Sequence, residues 1–127
     1  MSGFIWLIIS LIMYFFIVSW FHEVGHYLSL KLIGVKSKIS FNFKHFIVSY
    51  DNDKLKNKPK LSRLLVYCSG ALASLVTITL MVITLDYMWL KIFLFMFFII
   101  EVFIHLIKKE GDLRKAINLF ISRKQLN

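Results

Sequence analysis

Residues 3–21, GFIWLIISLIMYFFIVSWF, run without a charge straight into His22-Glu23-Val24-Gly25-His26. The first part is a membrane-length apolar helix, since a bilayer core takes about 20 such residues. A secretory signal peptide is not the reading, because there is no basic leader and no small-x-small cleavage site follows. Two more runs match it. Residues 64–85 are uncharged, and residues 87–107 are interrupted only by Lys91, Glu101 and His105. The chain is therefore expected to be an integral membrane α-helical protein. It would have three transmembrane helices, a short β segment between the first two and a C-terminal amphipathic helix. The expected spans are about 3–33, 62–85 and 87–107, in one unit over 1–127 with no separate soluble module.

Composition agrees. The chain is 58% hydrophobic with 13 Phe, 1 Pro and 5 Gly, which excludes disorder. A net charge of +9 first suggests nucleic acid. The charges, however, sit in blocks apart from the apolar runs, so no nucleic-acid partner is expected. Lys31–Arg63 holds nine basic residues against Asp51 and Asp53, and Lys108–Asn127 holds most of the others. The positive-inside rule makes both blocks cytoplasmic. The N-terminus and the turn near Asp86 would then lie outside, with loop 34–60 and the C-terminus inside. The charge reads as orientation in a lipid bilayer plus attraction to anionic lipid. With 13 Lys against 3 Arg, a low-GC bacterial source is expected. The single cysteine, Cys68, has no disulfide partner and reads as a packing residue.

His22, Glu23 and His26 are ionisable at membrane depth, which is costly and points to function. On a helix, residues i and i+4 share a face, so both imidazoles can reach one ion. Glu23 stands beside that pair, where it can touch a water rather than the metal. H-E-x-x-H is the zinc hydrolase arrangement. Neutral imidazole suits Zn²⁺, which takes three protein ligands and keeps one position for water. The metal lowers that water's pKa to about 7, and a carboxylate can carry its proton to the leaving amine. The third ligand must come from elsewhere. Glu101, His105, Glu110 and Asp112 have the right depth, and the return of span three to the level of His22 and His26 favours its end. His45 reads as interfacial. Glu101 and His105 lie at i and i+4 and should face the bundle, as a polar pair, a partner of a ligand or an alternative ligand.

Three segments together resemble the site-2 protease family of intramembrane zinc metalloproteases. They are His22-Glu23-Val24-Gly25-His26, Ser69-Gly70-Ala71-Leu72-Ala73-Ser74 and Glu110-Gly111-Asp112-Leu113-Arg114-Lys115-Ala116-Ile117. The second is similar to the family's G-P-x-x-N, with Ala71 for Pro and Ser74 for Asn. The third is similar to its D-G segment, with Leu113 after Asp112. The resemblance covers residues 1 to about 118. It implies zinc ligation by His22, His26 and Asp112, with Glu110 and then His105 as alternative third ligands, and Glu23 as catalytic base. It also implies that Gly70 and Ser74 lie against the zinc site and contact substrate. Small residues at Gly70 and Ser74, and at Ser69 and Ala73, equally suit close helix packing.

Between the first two spans, Ile39, Phe41 and Phe43 alternate with polar residues, and Phe46, Val48 and Tyr50 alternate on the opposite parity. This predicts an interfacial strand segment over 36–50 with a bulge or turn near Lys44-His45. Asp51-Asn52-Asp53 and Pro59 end it. The resemblance implies that its edge can pair with unwound substrate. The basic tail, 108–127, reads as an amphipathic surface helix from 111 onward, with Leu113, Ala116, Ile117, Phe120 and Ile121 at helical spacing. The functional expectation is an intramembrane zinc endopeptidase. It would cleave a membrane-spanning or membrane-associated peptide, such as a regulator or a signal, pheromone or bacteriocin-type peptide. The alternatives are a family member acting as a binding or immunity protein, or a small transport or assembly subunit. Oligomeric state is not encoded in any of these features.

Overall fold

The computed structural model describes residues 2–42, 45–84, 86–107 and 111–122, and gives the backbone alone for 2–4, 6 and 7. In chain order the elements are α1 (Ser2–Leu32), β1 (Ser37–Asn42), β2 (His45–Tyr50), α2 (Asn52–Lys56), α3 (Lys60–Thr84), α4 (Met88–Ile107) and α5 (Asp112–Ile121). Stretches Ile8–Leu32, Lys60–Thr84 and Met88–Ile107 are long and apolar enough to cross a membrane. Their outer faces carry Ile12, Met13, Leu72, Leu80, Ile92 and Phe95, all more than half exposed. An apolar surface of that extent is what lipid covers.

The three long helices run alternately up and down. His26 meets Val66 and His22 meets Ser74, while Tyr14 and Val18 cluster with Ile78, so α1 and α3 are antiparallel. Ser74 meets Glu101 and Ile78 clusters with Leu94, so α3 and α4 are antiparallel too. The C-terminal half of α1, the start of α3 and the end of α4 therefore gather at one end of the bundle. At the α1–α3 crossing Gly25 allows contact that a side chain would prevent. A Cβ there would stand 2.5 Å from the Ser69 carbonyl oxygen and 2.8 Å from Ala73 Cβ. Ser69 and Ala73 thus serve close packing.

Helix α1 stops at Gly34, whose φ of +74° suits glycine. Gly34 N–H donates to the Lys31 carbonyl and Val35 N–H to that of Leu30, while Leu30 and Val35 pack together with Leu55 and Val66. This is a Schellman cap with its apolar contact. It turns the chain into β1. Strands β1 and β2 pair antiparallel as the two arms of a hairpin, with Ile39 opposite Val48 and Phe41 opposite Phe46. That register explains the parity switch: directly opposed residues share a face, so Ile39, Phe41, Phe46 and Val48 form one apolar side. The expected bulge or turn at Lys44 lies outside the described residues. One short helix, α2, was not expected. Asp51 caps it by accepting from the Asp53 and Lys54 amides, and its Leu55 is fully buried.

Helix α5 packs on α3 and α4. Gly111 sets the corner, since a Cβ there would overlap the His105 carbonyl oxygen, and Arg114 donates to the Ile107 carbonyl at 3.0 Å. Ala116 is buried, whereas Ile117, Phe120 and Ile121 face outward. The helix ends at Ile121, with Ser122 as its C-cap. The rest of the expected tail, residues 123–127, and Lys108 to Glu110 lie outside the described residues.

Candidate metal centre

His22 and His26 lie one turn apart on α1, and both are buried. Each has its Nδ1 engaged by α3. His26 Nδ1 is 2.8 Å from the Val66 carbonyl oxygen. A carbonyl only accepts, so Nδ1 carries a proton and Nε2 is turned to the other side. It points at His22 Nε2, 3.2 Å away, and at Asp112 Oδ2, 3.1 Å away. His22 Nδ1 lies 3.1 Å from Ser74 Oγ and 3.3 Å from Glu101 Oε1. The structure thus brings His22, His26 and Asp112 together, with donor atoms all within 4.8 Å of one another.

Three electron-rich atoms at such distances repel unless positive charge sits among them, as a proton or a metal cation. Around a tetrahedral zinc with bonds of 2.0–2.2 Å, neighbouring ligand atoms are about 3.3–3.6 Å apart. The observed separations of 3.1 and 3.2 Å are slightly shorter than that edge and leave a small adjustment to admit an ion. Two imidazoles and a carboxylate are also a zinc donor set. Burial alone would raise the Asp112 carboxyl, but the hydrogen bond and charge of His26, then Lys115 and His22, hold it below the ordinary carboxylate range. Asp112 is therefore an anion at neutral pH. It also sits in the first turn of α5, where the helix dipole favours negative charge.

Gly70 faces these atoms directly. A Cβ there would overlap His26 Nε2 and stand 2.7 Å from His22 Nε2. Ser74 is fully buried, and its Oγ meets His22 Nδ1 and Glu101 Oε1. Glu23 belongs to neither group of convergent donors among the described residues. Its Oε2 accepts from the Val48 amide at 3.1 Å. A cavity of about 260 Å³ opens beside it, between α1, α4 and β2. Phe15, Val18, Phe46 and Phe97 give it apolar walls, and His22, Glu23, Glu101 and His105 give it a polar floor. His45 lies on the cavity wall, outside both donor groups.

A second convergent group is His22, Glu101 and His105. The His105 ring stacks on that of His22, with centroids 4.9 Å apart and planes 24° from parallel. Both residues therefore turn to His22, where spacing alone had left a mutually satisfied pair as one reading. Glu110 lies outside the described residues. Sequence reasoning missed the Val66 carbonyl and the Val48 amide, which are backbone groups and leave no mark on side-chain pattern. It also missed Tyr14, whose buried hydroxyl has no hydrogen-bond partner among the described residues and which lines the same cavity. Compared with models of protein families, with curated proteins and with solved structures, the chain matches none.

Proposed function

We propose that this chain is an intramembrane zinc endopeptidase of the site-2 protease type, acting on a membrane-spanning or membrane-associated peptide near the cytoplasmic face. The observation that carries this reading is the convergence of Asp112 Oδ2 with His22 Nε2 and His26 Nε2, the two histidines flanking Glu23 on a helix long enough to cross a membrane. His22, His26 and Asp112 would hold the ion. Bound zinc supplies Lewis acidity and makes water acidic enough to attack a peptide carbonyl at neutral pH.

The chain's own groups supply the rest. Glu23 takes a proton from the attacking water and passes it to the leaving amine. The Val48 amide holds one of its oxygens and so fixes the carboxylate at the cavity. That amide points away from β1, so the Phe46 and Tyr50 amides share its edge of β2. A helical substrate hides its backbone, so cleavage needs it extended, and a strand edge beside the base is suited to hold extended chain. The phenylalanine-rich cavity walls suit an apolar substrate segment and exclude bulk water.

Glu23→Gln tests the reading. Purified in detergent, the variant should bind zinc as the wild type does. Co-expressed with tagged single-span membrane peptides, it should cleave about 10²–10⁴-fold more slowly, the usual contribution of a general base. If the wild type binds no zinc, the metal reading is wrong. If the Glu23→Gln variant fulfils the chain's biological role unchanged, the protein is a binding, immunity or transport protein instead.

A further inference from the structure

Glu101 is a carboxylate two turns from the end of a largely apolar helix, a placement that is costly in a membrane. It faces the back of the candidate metal centre. If His22 binds metal through Nε2, its neutral ring carries the proton on Nδ1, and Nδ1 must donate. The acceptors it meets are Ser74 Oγ at 3.1 Å and Glu101 Oε1 at 3.3 Å. Ser74 Oγ in turn donates to Glu101 Oε1 at 3.4 Å. The three groups form a small closed network with one consistent direction of donation, ending on the carboxylate. His26 has the simpler counterpart in the Val66 carbonyl.

Resting on the metal reading above, we propose that Glu101 is a positioning residue. Directly and through Ser74, it holds the His22 ring with Nδ1 protonated and Nε2 turned to His26 and Asp112. Outer partners of this kind orient ligating imidazoles and raise their basicity. His105, stacked on the same ring, restrains its rotation. Glu101 is not the third ligand of the same ion, because it meets the opposite nitrogen of His22, and one ring cannot turn both nitrogens to one ion. The geometry of His26 and Asp112 commits Nε2 to their side.

The experiment is a chelator competition for zinc on purified, detergent-solubilised protein, comparing wild type, Glu101→Leu, Glu101→Gln and Asp112→Ala. Glu101→Leu should weaken zinc about 10–100-fold, the usual effect of removing such a partner. Leucine suits an apolar helix, so helix content and unfolding temperature should hold. Glu101→Gln keeps an acceptor oxygen and should recover most of the loss. With saturating Co²⁺ in place of zinc, Glu101→Leu should keep the tetrahedral absorption of the wild type, while Asp112→Ala should not. Zinc binding by Glu101→Leu equal to wild type would overturn the inference alone. So would loss of the tetrahedral spectrum in Glu101→Leu, or loss of one of two bound zinc equivalents, either of which makes Glu101 a ligand. Failure of the wild type to bind zinc would remove this inference together with the function it rests on.

Discussion

A methyl group on Gly70 would meet the two Nε2 atoms, whereas one on Gly25 would meet backbone on the neighbouring helix. The two glycines therefore fail differently. In Gly70→Ala the obstacle is the far end of two imidazoles, which can rotate away. Alanine also favours helix over glycine by about 1 kcal/mol. The variant should fold as stably as the wild type and bind zinc at least about tenfold more weakly, as a displaced ligand ring requires. Unfolding in detergent and zinc competition on the same preparation check both halves. Wild-type affinity in Gly70→Ala would mean that the rings do not occupy the places described. At this scale the sequence was readable where geometry is local. His22 and His26 share a face by helical period alone, and Glu23 follows beside them. Asp112 needed the topology of three spans, and its choice over Glu110 needed the resemblance. Glu101 was legible as a bundle-facing carboxylate and a possible partner of a ligand, but its actual partners, His22 and Ser74, were not, because they are distant in sequence.

Between elements, the α1–α3 seam decides whether the site exists, because Val66 and Ser74 on α3 hold the Nδ1 atoms of both histidines on α1. Gly25→Ala pushes on the Ser69 carbonyl, which cannot rotate away. Overpacking of this kind typically costs about 1–3 kcal/mol. The expected outcome is a lower unfolding temperature together with weakened zinc binding, in contrast to the Gly70→Ala result. An unchanged unfolding temperature would show that the seam is looser than described. Long apolar runs made the three helices legible to within a few residues at their ends. The hairpin was half legible: alternation marked strand, but the parity switch reads equally as a bulge until the pairing of Ile39 with Val48 is seen. Helix α2 was hidden because five residues carry too little periodicity. Its cap, Asp51, stood in a cluster that also reads as a turn.

For the molecule as a whole, the alternating helices put the hairpin, α2 and α5 at one end, with Asp86 at the other. Lys31, Lys38, Lys54, Lys56, Arg63 and Lys115 belong to the first end, and Lys91 is the one basic residue near the second among the described residues. Under the positive-inside rule that asymmetry predicts an orientation with the basic end in the cytoplasm. The candidate centre joins His22 and His26, in the last third of α1, to Asp112 in the first turn of α5, so it should lie nearer the cytoplasmic face. Single cysteines placed in a Cys68→Ser background can test this with a membrane-impermeant maleimide. Asp86→Cys should react in intact cells, whereas Lys54→Cys and Asn118→Cys, both at exposed positions, should react only after the membrane is opened. Labelling of Lys54→Cys and Asn118→Cys from opposite sides would contradict the antiparallel bundle itself. Labelling of both from outside would keep the bundle but turn it over. The site would then open to the exterior, and a peptide substrate would have to be cut at that face instead.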